Sequence, residues 1–453
     1  MSATNSVRYP DTTSRATMTK RAWWLVWLNI LVPGSAQLLA GNRKLGRFGV
    51  GATFILWGIA LIGALLYWLA RPTLVTIVTN VYALWIIQAV FAFYAALWIV
   101  LTVDAVRQLR LVTTAPGARP LIAGLATIAL VIGAGGAGWG VYAAGITRST
   151  VDHVFSGGEI ADPIDGRYNI LLLGGDAGPD RFGLRPDSIS VVSIEAATGK
   201  VTMFGIPRNL QHTPFPEGSP MLGPFPDGYD CGNECLISYL YTFGEEHLEL
   251  YPDAVARGSE PGIEAMRDAA AGVLGMQLQY YVLIDMQGFS DLINALGGVT
   301  IESTGRYPID GEVDGDGQPF NVTAWIEPGV QKMDGFTALW YARIRHGSSD
   351  YDRMARQRQV QEAILQQFDP ANVLTKFQAV AEAGAQVVKT DIPQGMLGRF
   401  IELASKARGL PIDKLELVPP LIHVIEPDFE YIHELVNEAL VIPTPTPTQP
   451  PAP

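Results

Sequence analysis

The sequence predicts an α/β domain, a mixed sheet flanked by helices, preceded by an α-helical membrane region. Three observations predict it. The first is charge: the 453 residues carry a formal net charge of −12, yet residues 1–149 hold twelve Lys or Arg against only Asp11 and Asp104. The rest of the chain therefore has 20 bases and 42 acids, so a basic first third precedes an acidic remainder. The second is hydropathy: 17% of residues are charged, against about 25% in soluble domains. Three apolar stretches exceed the roughly 20 residues that cross a bilayer as a helix. The third is pattern: from Asn169 onward, apolar runs of strand length alternate with stretches of helical periodicity. This composition excludes a disordered or collagen-like chain and a single soluble globule.

Residues 1–21 read as a basic cytoplasmic N-terminus, followed by a membrane region over 22–147. Its first apolar stretch, Ala22–Ala40, is interrupted by Pro33-Gly34-Ser35, which breaks a helix near its middle and predicts a re-entrant or interfacial segment. The predicted transmembrane helices are Phe48–Ala70, Leu74–Val103 and Leu121–Ile146, the last with 26 residues and no charge. Basic residues gather before residue 22, at Arg43, Lys44 and Arg47, and at Arg107, Arg110 and Arg119; the connection at 71–73 has only Arg71. Cationic loops stay in the cytoplasm. If 22–40 does not cross, all three clusters are cytoplasmic and the third helix exits, so the chain is expected to be a multi-pass membrane protein with everything after about residue 147 extracytoplasmic. Long and multiple apolar segments also argue against a cleaved signal peptide.

After a linker at 148–168, strands are predicted at Ile170–Leu173, Ser188–Ile194 and Val201–Ile206, the last two joined by the turn Ala197-Thr198-Gly199-Lys200. Thr213–Gly232, dense in Pro and Gly, reads as a long loop, of the kind that is usually functional or disordered. Helices are expected near Leu236–Phe243, Gly262–Leu274, Met286–Leu296, Gly335–Tyr341 and Asp352–Phe368. Strands are expected at Tyr280–Asp285 and Val299–Glu302, with Ala342–Arg345 extended. Residues 369–440 add helix and a strand at Leu415–Pro419 as an extension packed on the domain, and 441–453 form a Pro/Thr-rich disordered tail. Cys231 and Cys235 are the only cysteines. Four residues apart outside the membrane, they point to a local disulfide, since a zinc site usually needs four ligands.

Basic residues are scarce in the acidic portion, so where they gather is informative. In an extended segment Arg343 and Arg345 point to one side. In the following helix Arg353, Arg356 and Gln357 stand at i, i+3 and i+4 and share a face. Converging guanidinium groups suit phosphate oxygens; a solvated helix paired with acids gives the same spacing, and spacing alone leaves both open. Asp176 follows the first strand after Gly174-Gly175 and Asp187 opens the second, with Arg181 and Arg185 before it and Pro207-Arg208 after the third. Two carboxylates at adjacent strand ends are a common way to hold Mg²⁺, Mn²⁺ being the alternative.

Four ordered blocks carry a family resemblance: NILLLGGDAGPDRFGLRPDSISVVSI, VTMFGIPRN, YYVLIDMQGFSDLINALGGVTI and PGVQKMDGFTALWYARIRHGSSDYDRMARQRQ. Across about Asn169–Phe368 the chain resembles the LytR-CpsA-Psr (LCP) family, and its multi-span basic N-terminus is similar to that of actinobacterial members. The resemblance implies an LCP-type catalytic domain over 169–368 that transfers a glycopolymer phosphate from a polyprenyl-pyrophosphate carrier to a peptidoglycan hydroxyl on the outer membrane face, with no nucleic-acid partner. It implies Asp176 and Asp187 as Mg²⁺ ligands and Arg185, Arg208, Arg343, Arg345, Arg353, Arg356 and Gln357 as the pyrophosphate-binding set. It also implies Asp350 as the acid that activates the acceptor, with Arg345 and Arg353 beside it in catalysis. Arg181 falls near another family arginine. Pro186-Asp187-Ser188 stands where Thr-Asp-Thr is usual, and Asn209 replaces the acid that commonly follows Pro-Arg. The competing functions are a pyrophosphohydrolase of the lipid-linked precursor and a non-catalytic polyprenyl-phosphate receptor.

The carrier lipid needs an apolar groove. Phe289, Leu292, Ile293 and Leu296 form a helical stripe that suits one, although such stripes are more often core. Asp310–Asp316 resembles a calcium loop without its closing Glu and reads as a surface turn. The six histidines have no metal-ligand spacing; His346 sits in sequence beside the arginines.

Overall fold

The computed structural model describes residues 7–70, 73–74, 77–78, 80–155, 158–176, 185–232, 234–314, 319–344, 349–367 and 388–441. The chain divides into two units, Met1–Ser149 and Thr150–Pro453. The Pro-rich tail, Arg181, Arg345 and His346 lie outside the described residues, as does part of the Asp310–Asp316 turn.

The first unit is helical. Helix α1 (Arg15–Leu31) stops at Val32-Pro33-Gly34 and the short α2 (Ser35–Ala40) follows. Gly34 takes φ +96°, and a Cβ there would come within 2.6 Å of the Val50 backbone; only glycine allows the break to seat against the next helix. That helix, α3 (Arg43–Leu69), starts earlier than its apolar stretch because the Asn42 side chain accepts from Lys44 N at 3.0 Å. Helix α4 (Val81–Leu109) begins later than the expected Leu74, because Asn80 caps it at Ala83 N, 3.0 Å. Helix α5 (Arg119–Val154) contains the predicted third span. Arg43–Leu69, Val81–Thr113 and Pro116–Ser149 are long and apolar enough to cross a membrane.

In the second unit, strands β1 (Arg167–Asp176), β2 (Arg185–Glu195), β3 (Val201–Ile206) and β4 (Tyr280–Asp285) form the centre of a six-stranded mixed sheet. β1 runs antiparallel to β2 and parallel to β4, and β2 is antiparallel to β3. Beyond the smaller strands β5 (Val299–Ser303), β6 (Tyr307–Ile309), β7 (Ala324–Ile326) and β8 (Gly329–Met333), the sheet is completed by β9 (Val388–Thr390) beside β4 and β10 (Asp413–Glu416) beside β3. The 369–440 stretch, expected as an extension, thus supplies both sheet edges. All six β3 residues are buried, which is why it reads as a continuous apolar run and not as an alternating one.

Helices α6 (Leu240–Glu246), α7 (Pro261–Leu274) and, near the C-terminus, α12 (Phe429–Leu440) cover one sheet face, and α11 (Leu397–Ala407) packs on the other. Thr213–Gly232 is a packed loop: Phe215, Met221 and Tyr229 are buried in the main core and Thr213 bridges Tyr229. Helices α8 (Met286–Leu296), α9 (Gly335–Arg343) and α10 (Asp350–Gln367) share a third core with the smaller strands. Cys231 and Cys235 are disulfide-bonded, their Cα atoms 5.3 Å apart.

Candidate active site

Three strands end together. Asp176 pairs through its backbone with Arg185, and the register shifts between Gly174 and Gly175, a bulge that bends the strand end. Asp187 follows two residues into β2, so the two acids expected to hold a cation lie on neighbouring strand ends. Arg208 comes just after β3, its carbonyl fixed by Ser238 N at 3.2 Å. Its guanidinium pairs with Asp187 through Nη1 and lies 3.6 Å through Nε from Asp350 Oδ2.

Asp350 opens α10, where a carboxylate complements the positive end of the helix. One turn on, the buried Arg353 reaches back to Asp350 at 3.1 Å and donates to the Asp187 carbonyl at 3.4 Å. Asp187, Arg208, Asp350 and Arg353 therefore form one chain of alternating charges, drawn from β2, the end of β3 and α10.

The rest of the arginine set divides. Arg356 is 3% exposed; its Nε donates to the Tyr341 carbonyl at 3.0 Å and Nη2 to the Ile344 carbonyl, and its guanidinium carbon stands 4.7 Å over the Tyr307 ring. It closes the last turn of α9, where carbonyls lack helical partners. Gln357 donates to the Ala342 carbonyl at 3.3 Å and leaves a buried Oε1 with no hydrogen-bond partner. Arg343, expected on an extended segment, is instead the last residue of α9, which continues because Ala338, Tyr341 and Ala342 bury helical-spaced side chains in the third core. Arg185 is exposed and stands 4.7 Å over the Tyr239 ring.

Beside these groups opens a cavity of about 330 Å³. Its walls are apolar, with Leu172, Val282, Phe289, Leu292, Val360 and Ile364 among them; Asp187, Ser188, Arg343 and Gln357 stand on its polar side. The stripe on α8 is divided: Phe289 and Leu292 line the cavity, while Ile293 is fully buried in the core. Ser188, which the sequence marks only as a departure from the usual Thr, has a buried hydroxyl with no hydrogen-bond partner and lines the cavity. Arg358 is likewise not marked by the sequence as special. It is 2% exposed and pairs with Glu416 of β10 at 3.1 Å; burial lowers the Arg358 pKa and raises that of Glu416, each opposed by the partner's charge. No local pattern could have shown this pair, because its members lie on elements far apart in sequence.

Among the described residues no group of three His, Cys, Asp or Glu side chains could share a metal ion. Mg²⁺ needs no such group, since one or two carboxylates with phosphate oxygens and water suffice. The strand-end acids and the unpartnered Ser188 oxygen are hard donors of the right kind.

These positions lie within a match to known proteins. The model of the LytR_cpsA_psr family matches residues 147–419. A polyisoprenyl-teichoic acid–peptidoglycan teichoic acid transferase, TagU of Halalkalibacterium halodurans, is 27% identical over 312 residues, 66% of this chain and 86% of that protein. Biofilm regulatory protein A of Streptococcus mutans is 26% identical over 231 residues, half of each chain. The crystal structure of B. subtilis TagV, 23% identical, covers 61% of this chain and 98% of that one with a TM-score of 0.43. The family match takes in more than half of the sequence, and the chain belongs to the LytR_cpsA_psr family.

Proposed function

We propose that this chain is a membrane-anchored transferase that moves a glycopolymer phosphate from a polyprenyl-pyrophosphate-linked precursor to a hydroxyl of peptidoglycan. The observation that carries this is the cavity: apolar walls that suit a polyprenyl chain meet the charged chain Asp187–Arg208–Asp350–Arg353 at one side. Pocket and charge together fit an amphipathic lipid phosphate, and neither alone would. The relative from Halalkalibacterium halodurans, named as a teichoic acid transferase, supports the same reaction class.

The acceptor oxygen attacks the phosphorus bonded to the glycan. The bond from that phosphorus to the polyprenyl phosphate oxygen breaks, and polyprenyl monophosphate leaves. Asp350 takes the hydroxyl proton. Arg208 and Arg353 hold Asp350 in place and present N–H donors to the charge that builds on the phosphoryl oxygens. Arg343 and Gln357 hold the pyrophosphate at the lip, with Arg185 and Arg345 completing the set. Arg356 acts from behind by fixing the end of α9. Mg²⁺ or Mn²⁺ on Asp176 and Asp187 would neutralise pyrophosphate charge.

The basic loops of the first unit support a cytoplasmic N-terminus and an extracytoplasmic catalytic domain. Asp187→Ala, in a cell without paralogues, should abolish covalent attachment of polymer to the wall while the protein accumulates normally; wild-type attachment would overturn the enzymatic reading. A reporter fused after residue 453 should be active outside the membrane, and activity only in the cytoplasm would overturn the orientation.

A further inference from the structure

Helix α9 has two faces near the site. Leu339, Ala342 and Arg343 line the cavity. Phe336, Trp340 and Arg343 recur at i, i+4 and i+7, so they share a neighbouring face, and Arg343 belongs to both. Phe336 is 51% exposed. Trp340 packs one side against the third core and is only partly exposed. Their ring centroids lie 6.3 Å apart at 65°, and the Arg343 guanidinium carbon is 5.9 Å from the Trp340 ring. Isolated exposed apolar side chains are ordinary. Two adjacent rings that end on a guanidinium at the lip of a binding cavity are a surface with chemistry of its own.

We propose that Phe336 and Trp340 form an aromatic shelf that stacks the first sugar rings of the transferred polymer. This rests on the transferase reading above. With the lipid along the apolar walls and the pyrophosphate beside Arg208, Arg353 and Arg343, the group beyond the phosphates must leave over the lip. Arg343 is the lip residue, and its helix face leads from the phosphate position onto the two rings. At 1.5 Å per residue the face from Arg343 to Phe336 is about 10 Å long, enough for a disaccharide. A sugar ring offers a flat C–H face and a hydroxyl rim; the aromatic faces take the former, and the Arg343 guanidinium donates to the latter or to the phosphate. The shelf thereby selects for the saccharide without touching the reacting atoms.

The test is equilibrium binding to the full-length protein in nanodiscs with two probes, a sugar-free polyprenyl monophosphate and a synthetic polyprenyl-pyrophosphate disaccharide. Phe336→Ala and Trp340→Ala should each weaken the disaccharide probe about 5- to 10-fold, the scale of one lost aromatic contact, and leave the monophosphate unchanged. Trp340→Phe should retain most of the binding. Equal weakening of both probes assigns the rings to lipid contact or to the fold and overturns the shelf, as does no weakening of either. Because Phe336 is half in solvent, its variant keeps the test sound even if Trp340→Ala fails to fold. Wild-type protein that binds neither probe would instead overturn the transferase reading on which the shelf rests.

Discussion

Arg208 Nε lies 3.6 Å from Asp350 Oδ2, an arginine from the end of β3 against the first residue of α10. Because the same guanidinium also holds Asp187, one side chain couples the acid expected at the cation to the acid expected at the acceptor.

Arg208→Ala should therefore lower transfer by at least about 100-fold, the usual loss when one preorganised donor to a developing charge is removed. Stability should change by no more than about 1 kcal/mol, because the pair is about one-third exposed and solvent screens it. Arg208→Lys should restore little, since an ammonium cannot reach two carboxylates with a rigid fork. Initial rates with a labelled lipid-linked donor, alongside thermal unfolding, check both parts.

Arg358 and Glu416 make a different kind of pair. Glu416→Gln leaves a fully buried guanidinium without its counter-charge and should cost roughly 3–5 kcal/mol, whereas Arg358→Met combined with Glu416→Gln should recover most of that loss. Glu416 also fills the space above Gly205, so the pair fastens α10 to the edge of the sheet. Unfolding of the single and double variants decides: a double variant no more stable than Glu416→Gln contradicts the pairing.

The apolar cavity predicts a steric effect. Leu292→Trp places an indole on its wall and should weaken polyprenyl monophosphate binding about tenfold or more while overpacking costs roughly 1–3 kcal/mol. Unchanged lipid affinity in a folded variant would remove the cavity as the lipid site.

Asp268 gives a pH signature. Burial raises its carboxyl above the ordinary 3.8, against hydrogen bonds from the Ser219 and Tyr251 hydroxyls at 2.5 and 2.7 Å. The folded state thus binds this proton more readily than the unfolded chain. The stability this contributes is complete below 3.8 and is lost as pH rises through the folded value. Relative to Asp268→Asn, wild-type protein should therefore lose stability as pH climbs from about 4 towards neutrality. A constant difference in unfolding midpoint across that range would contradict it.

The sequence showed some of this and hid the rest for physical reasons. Asp187, Arg208, Asp350 and Arg353 were legible because each stands at a strand or helix end within a recognisable block. Their mutual pairing was not, because ion pairs across long separations leave no periodicity. Arg343 reads as extended because Ala342–Arg345 alternates like a strand; burial of Tyr341 and Ala342 in the third core carries the helix through it. Arg356 carried the right charge for an anion ligand, yet the open carbonyls at the end of α9 claimed its guanidinium. The edge strand at Val388–Thr390 is too short to stand out from its surroundings, whereas the one expected at Leu415–Pro419 is present but begins and ends earlier, at Asp413–Glu416.

Transfer from a lipid carrier to a wall acceptor is tested by following label from donor to product. Full-length protein in nanodiscs is given a labelled polyprenyl-pyrophosphate glycan with Mg²⁺, with and without peptidoglycan fragments. The expected result is label joined covalently to the acceptor, release of polyprenyl monophosphate only when acceptor is present, and loss of both in Arg208→Ala. Release at full rate without acceptor, or transfer that survives in Arg208→Ala, contradicts it.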